Sequence, residues 1–126
     1  MAALADTSIL IDHLRGRNEA QSLVERELLD EEPVFGSVLT KTEVLAGARR
    51  EEEDPTRQLL DLVVWIDVAD PIAEQAGRLA NRYGRTHPGV DLVDCVIAAT
   101  RDALEVPLWT LNVRHFPMIR RLRPPY

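Results

Sequence analysis

The chain has 126 residues, enough for one domain with a buried core but too few for two. Its residues are 45% hydrophobic but only 5% aromatic. This predicts an aliphatic core of the kind found where helices pack on a short sheet, and disfavours an all-β sandwich. The formal net charge of −6 argues against broad, non-specific binding of nucleic acids, which usually needs a basic face.

Cysteine content and hydropathy bear on where the protein works. Cys95 is the only cysteine, so no disulfide can form within the chain and nothing indicates secretion. Residues 1–5 reach Asp6 without the apolar core of a signal peptide, and no stretch approaches the roughly 20 apolar residues of a membrane span. We therefore expect a cytoplasmic protein with no membrane contact.

The predicted elements alternate between short apolar runs and amphipathic helices. In chain order they are a strand at 2–5, a helix capped by Thr7 or Ser8, a helix at 19–30, a strand at 33–36, a helix from about Thr40 to Arg49, a solvated acidic turn at 51–54, a helix opened by Asp54-Pro55 with Asp54 as its N-cap, a strand within 62–66, a helix from Asp70-Pro71 to about Tyr83 with Asp70 as its N-cap, a helix at 91–104 and a strand at 107–110. This order predicts an α/β fold with a parallel sheet covered on both faces, in a single domain over residues 1–126.

Polar residues lie just beyond the carboxyl ends of the predicted strands, which is where sheets of this kind bind their ligands. Asp6 ends the first predicted strand and Asn112 ends the last. Glu43 follows the second strand on a helix, and Asp94 lies on the helix before the last strand.

Each acid also has a purely structural interpretation. Asp6 could be a helix N-cap, and so could Asp91, which lies one helical turn before Asp94. Thr40 and Glu43 fit a capping box, in which the Glu side chain reaches back to the cap. Taken together, however, oxygen ligands from separate segments describe a site for Mg²⁺ or Mn²⁺. Such a site supports phosphodiester hydrolysis.

Four stretches carry a family resemblance that spans nearly the whole chain in order. They are Ala5-Asp6-Thr7-Ser8-Ile9-Leu10-Ile11-Asp12, the mid-chain Thr42-Glu43, Asp94-Cys95-Val96-Ile97-Ala98-Ala99-Thr100, and Thr110-Leu111-Asn112-Val113-Arg114-His115-Phe116. Together they resemble the PIN-domain ribonucleases and, more narrowly, the VapC toxins of prokaryotic toxin–antitoxin pairs.

The resemblance implies an α/β/α sandwich around a parallel sheet and an endoribonuclease that depends on Mg²⁺ or Mn²⁺. It also implies a homodimer and inhibition by a VapB-type antitoxin. Asp6, Glu43 and Asp94 match the three principal acids of the family. The fourth acidic position falls at Asn112, which has a carbonyl oxygen but no charge and therefore makes one ion a better expectation than two. Asp91 is a candidate further ligand.

Other polar and basic residues are candidates for supporting roles. Thr7 and Thr110 are expected to hydrogen-bond the ligands rather than bind metal. Arg114 and Arg85 are candidate RNA contacts. His13, His87 and His115 lie in separate segments without metal-ligand spacing, so surface or core roles are expected for them.

Two other classes of protein place similar residues after a parallel strand or on the same fold. A phosphotransfer domain also uses an Asp after a parallel strand, but the residue two past Asp6 is Ser8, where a dehalogenase-like phosphatase needs Asp. A receiver domain needs a late Lys, and Lys41 is the only lysine. The second is a catalytically inactive module that binds RNA or a partner through the same fold. Asn112, which replaces the fourth acid, is the residue that favours it.

Overall fold

The computed structural model describes all residues 1–126 as ten helices and strands with two short 3₁₀ turns. These are β1 (Ala3–Ala5), α1 (Thr7–Leu14), α2 (Asn18–Leu29), β2 (Val34–Ser37), α3 (Val38–Gly47), a 3₁₀ turn (Arg50–Glu52), α4 (Glu53–Leu62), β3 (Val64–Ile66), α5 (Asp70–Tyr83), α6 (Leu92–Leu104), β4 (Leu108–Trp109) and a second 3₁₀ turn (Val113–His115).

The four strands form one parallel sheet in the order β3-β2-β1-β4. The chain moves from β1 outward through β2 to β3 and then returns to place β4 on the other side of β1. The carboxyl ends of β1 and β4 therefore meet where the strand order reverses, which is where open α/β sheets bind ligands.

Helices cover both faces of the sheet, as the sequence predicted. Successive strand residues point to opposite faces. Ala5 belongs to an aliphatic cluster shared with α1, α2, α3 and α4, whereas Leu4 packs with Ile97 and Ala98 of α6. A smaller cluster joins α5 to α6. The result is a three-layer α/β/α sandwich with a largely aliphatic core.

Two predicted helix caps are wrong. Thr7 and Ser8 do not cap α1; the other interpretation, Asp6 as N-cap, is confirmed, since its side chain accepts a hydrogen bond from the Thr7 N–H. The α3 helix begins at Val38 rather than Thr40 because Ser37, at the end of β2, caps it and accepts from the Leu39 N–H. Thr40 therefore lies inside the helix, and the predicted Thr40–Glu43 capping box does not form.

Two further boundaries were also misplaced. Residues 51–54 are helical rather than a turn, and Glu52, not Asp54, precedes α4. Acidic side chains are favoured in the first turn of a helix, which explains why this run continues into α4. Asp70 is the first residue of α5, and Ala69 occupies the N-cap position.

No helix in the structure combines the length and the apolar character that crossing a membrane would require.

Candidate active site

Asp6 lies between β1 and α1, at the reversal in strand order. Its Oδ1 accepts from the Thr7 N–H at 2.8 Å and its Oδ2 accepts from the Thr110 hydroxyl at 2.8 Å. The residue is only 7% exposed. The N-cap interpretation and the site interpretation are therefore compatible, because one carboxylate oxygen caps α1 while the other meets the segment after β4.

Glu43 lies on α3 and is joined to the same corner of the fold through Thr7. The Thr7 hydroxyl donates to Glu43 Oε1 at 2.7 Å, while the Thr7 N–H bonds Asp6. One residue thus contacts two of the three principal acids. Glu43 is exposed, so its side chain lies on the solvent side of the cluster.

Asp94 and Asp91 form a reciprocal capping box at the start of α6. The Asp94 N–H donates to Asp91 Oδ1 at 2.9 Å, and the Asp91 N–H donates to Asp94 Oδ2 at 3.0 Å. Asp91 is the N-cap that the sequence predicted, and it is exposed to solvent. Asp94 is 9% exposed and lies in the first turn.

The electrostatics show that these acids share one region. Burial raises the pKa of Asp6, opposed by its hydrogen bonds from Thr110 and Thr7 and reinforced by the charge of Glu43. Burial also raises the pKa of Asp94 to about 6; the hydrogen bond from Asp91 opposes this increase, and the charges of Asp91 and Asp6 add to it. The charge of Glu43 thus acts on Asp6, and the charge of Asp6 acts on Asp94.

The segment after β4 forms the other wall of the site. Thr110 is fully buried; its hydroxyl donates to Asp6 and accepts from the Asn112 N–H at 3.0 Å. The Leu111 N–H donates to the Ser8 hydroxyl at 3.1 Å, which ties this segment to α1. Asn112 lies three residues beyond the end of β4, with an exposed side chain.

The sequence interpretation missed two residues at this site. His115 was assigned a surface or core role, but its Nδ1 lies 3.4 Å from Asp94 Oδ2. The available signal was its position three residues after Asn112, in the segment that follows the last strand. The Ser8 contact with Leu111 depends on how α1 packs against that segment, and no sequence pattern reports it.

The two candidate RNA-binding arginines lie at the surface. Arg114 is exposed in the turn that carries His115, and Arg85 is exposed in the loop between α5 and α6. Neither forms a salt bridge with any of the site's acids.

The site's oxygen donors suit a hard divalent cation. No three His, Cys, Asp or Glu side chains meet closely enough to enclose a metal ion unaided. Mg²⁺ takes only one or two carboxylates and keeps several waters or substrate phosphate oxygens. Buried carboxylates that raise one another's pKa are also stabilised by a cation. The residues present therefore fit a Mg²⁺ or Mn²⁺ ion whose coordination is completed by water or by substrate oxygens.

Comparison with known proteins agrees with this fold. The family model of the PIN domain matches residues 3–117, and the chain belongs to the PIN-domain family. It is 44% identical to ribonuclease VapC19 of Mycobacterium tuberculosis over 123 residues, covering 98% of each protein. It is 37% identical to ribonuclease VapC10 of the same organism, covering 98% of this chain and 92% of that protein.

A solved structure supports the same grouping. A chain of a toxin–antitoxin complex from Klebsiella pneumoniae is 32% identical and superposes with a TM-score of 0.79, covering 98% of both chains. Within the PIN-domain family, the chain is therefore of the VapC type. The predicted resemblance and the predicted α/β/α fold are both confirmed.

Proposed function

We propose that this chain is a metal-dependent endoribonuclease and the toxin of a toxin–antitoxin pair. The observation that carries the proposal is that Thr7 hydrogen-bonds both Asp6 and Glu43 beside the reversal in strand order, while the charge of Asp6 acts on Asp94. The names of the VapC relatives, which are ribonucleases, and of the similar toxin–antitoxin complex support it.

Asp6, Asp94 and Glu43 would hold Mg²⁺ or Mn²⁺. When bound there, such an ion polarises a phosphoryl oxygen and lowers the pKa of an attacking water. Its charge would also offset most of the negative charge of these carboxylates where an RNA phosphate must approach.

The chain's own residues orient these ligands. Thr110 and Thr7 hold both oxygens of Asp6, and Thr7 also holds Glu43. Because these hydrogen bonds already fix the carboxylates in place, little free energy is spent on reorienting them when substrate binds. Asn112 can offer an amide oxygen directly or through water, but its lack of charge favours a single ion.

Asp91 is better explained as the cap of α6 than as a ligand. Its Oδ1 already accepts from the Asp94 N–H. Its charge nevertheless adds to the negative field around Asp94. Arg114 and Arg85 are free to pair with RNA phosphates, which Arg binds in a planar, bidentate manner.

The proposal includes a cytoplasmic protein that forms a homodimer and is inhibited by a VapB-type antitoxin. The similar Klebsiella pneumoniae structure is a toxin–antitoxin complex, which supports such a partner. An antitoxin segment with basic side chains would complement the carboxylates of the site.

Cleavage of total RNA by purified, antitoxin-free protein tests the activity. We expect cutting in Mg²⁺ or Mn²⁺, none in a chelator, and a loss of at least about a hundredfold in Asp94→Asn. Asp102→Asn is the matched control, because Asp102 is an exposed acid at the other end of α6. Equal cutting by Asp94→Asn and the unmodified chain would contradict the proposal.

Expression in a bacterium tests the toxin role. We expect growth arrest from the unmodified chain and relief by Asp6→Ala. Normal growth with the unmodified chain at comparable protein levels would count against a toxin.

Asn112 favours one alternative, a catalytically weak PIN module that binds RNA or a partner. Such a module would bind RNA yet leave it intact in Mn²⁺, whereas the enzyme would cut it.

A further inference from the structure

The end of α5 and the loop that follows it carry an aromatic pair, half-buried Tyr83 and exposed His87, that none of the preceding roles uses. The rings of Tyr83 and His87 lie 5.5 Å apart between centroids, tilted by 58°. The Arg82 guanidinium lies over the Tyr83 ring, 5.4 Å from its centroid. Neither Tyr83 nor His87 belongs to any of the three apolar clusters, so core packing does not explain them.

Hydrogen bonds hold this arrangement in place. The backbone N–H groups of Thr86 and His87 both donate to the Tyr83 carbonyl, at 3.2 and 3.0 Å. The Thr86 hydroxyl lies 2.8 Å from His87 Nδ1, within hydrogen-bond distance. The His87 ring is therefore fixed on one side while the residue remains exposed.

The pair lies at the same end of the molecule as the carboxylates. The α5 and α6 helices pack together through a cluster in which Leu79 and Ala80 meet Cys95 and Val90. Two helices joined by a short loop and packed in this way run antiparallel. The end of α5, at Tyr83, therefore neighbours the first turn of α6, which carries Asp94.

The positive charge around this aromatic pair suits a polyanion such as RNA. Arg82 and Arg85 are exposed and neither forms a salt bridge. An exposed aromatic ring beside arginines, as His87 is here, can hold unpaired RNA, because a base stacks on the ring and phosphates pair with the guanidinium groups.

We propose that Arg82, Tyr83, Arg85 and His87 form a stacking platform for an unpaired RNA base beside the cleavage site. His87 is the ring that receives the base, Tyr83 supports that ring, and Arg85 pairs with the adjacent phosphate. This inference rests on the proposed ribonuclease function and makes His87 a determinant of where RNA is cut.

Equilibrium binding tests the platform separately from catalysis. A fluorescent single-stranded oligoribonucleotide is titrated with the Asp94→Asn chain in a chelator, so that no cutting intervenes. Adding His87→Ala should weaken binding about tenfold, the size expected for one stacked base. His87→Phe keeps a ring and should stay within about twofold. Thermal melting of each variant verifies that it is folded.

Two arginines provide a matched comparison. Arg85→Ala should weaken binding and flatten its dependence on salt. Arg26→Ala should do neither, because Arg26 is next to Glu27, whose carboxylate contacts the Met1 ammonium just before β1, at the end of the sheet opposite the site.

Cleavage by the otherwise unmodified enzyme gives a second measurement. Mapping the product ends should show that His87→Ala changes the preferred base next to the cut, while His87→Phe preserves it. Unchanged binding in folded His87→Ala, a loss in His87→Phe as large as in His87→Ala, or no binding by the parent chain would overturn the platform. Strong, His87-dependent binding without any cutting would contradict only the ribonuclease function.

Discussion

The hydroxyl of Thr110 donates to Oδ2 of Asp6 at 2.8 Å, joining residues 104 positions apart in the chain. The same hydroxyl accepts from the Asn112 N–H. This contact connects the ends of β1 and β4, and it fixes the carboxylate on which the proposed metal site depends.

Replacing Thr110 with Val should therefore damage both stability and the site. The variant keeps the shape of the side chain but leaves a buried carboxylate oxygen and the Asn112 N–H without their partner. We expect a loss of about 1–3 kcal/mol in the free energy of unfolding, and about a 10- to 100-fold weaker affinity for Mn²⁺. Denaturant unfolding and Mn²⁺ titration measure the two effects.

Thr40 supplies the matched contrast. It is also fully buried, but its hydroxyl has no hydrogen-bond partner. Thr40→Val should leave stability unchanged or raise it by about 1 kcal/mol, because the unpaired polar group is removed without loss of shape. Equal destabilisation by the Thr40 and Thr110 substitutions would contradict the role given to the Thr110–Asp6 bond.

The raised pKa of Asp94 predicts how the metal-free protein responds to pH. Its carboxyl has a pKa of about 6 when folded, against 3.8 as the ordinary value. The unfolded chain therefore gives up this proton at a lower pH than the folded chain does. This group should lower stability as pH rises from about 4 to about 6, with no further change above that range.

Thermal melting in a chelator across pH 4–7 measures this effect. Comparison with Asp94→Asn isolates the contribution of Asp94, because the amide does not titrate. Since a ligand carboxylate must be ionised, Mn²⁺ should bind more tightly as pH rises through about 6. A pH profile unchanged by Asp94→Asn would contradict the assignment.

Asp91 can be tested as a cap or as a ligand. Asn is as good an N-cap as Asp, so Asp91→Asn should change stability by less than about 0.5 kcal/mol, whereas Asp91→Ala should cost about 1 kcal/mol. If Asp91 only caps α6, the Asn variant also keeps its Mn²⁺ affinity. A loss of affinity as large as that in Asp94→Asn would identify Asp91 as a ligand.

Two of the candidate residues could be predicted from the sequence because the ends of strands and the starts of helices have local sequence patterns. Asp6 follows the apolar run of β1, and Asp94 stands directly before the apolar run 95–99 of α6, so both positions could be read from the sequence. Glu43 was harder to interpret, since Thr40 three residues earlier made a convincing capping box. Ser37 caps α3 instead, and Glu43 turns to Thr7 of α1, a contact that no local pattern encodes.

The contacts that sequence reasoning missed depend on packing between distant elements. His115 approaches Asp94 only because the turn after β4 folds back toward α6. The Ser8–Leu111 bond likewise needs β1 and β4 to be neighbours in the sheet. Both contacts depend on how elements distant in the chain pack together, which motif spacing does not encode.

Binding of Mn²⁺ to the purified, antitoxin-free chain tests the central claim most directly. We predict that calorimetric titration at pH 7 shows one tightly held ion and that the bound ion raises the melting temperature. Both effects should be lost in Asp6→Asn and in Asp94→Asn but retained in Asp102→Asn. Absence of binding by the unmodified chain, or the same binding in all three variants, would contradict a metal site built from these carboxylates.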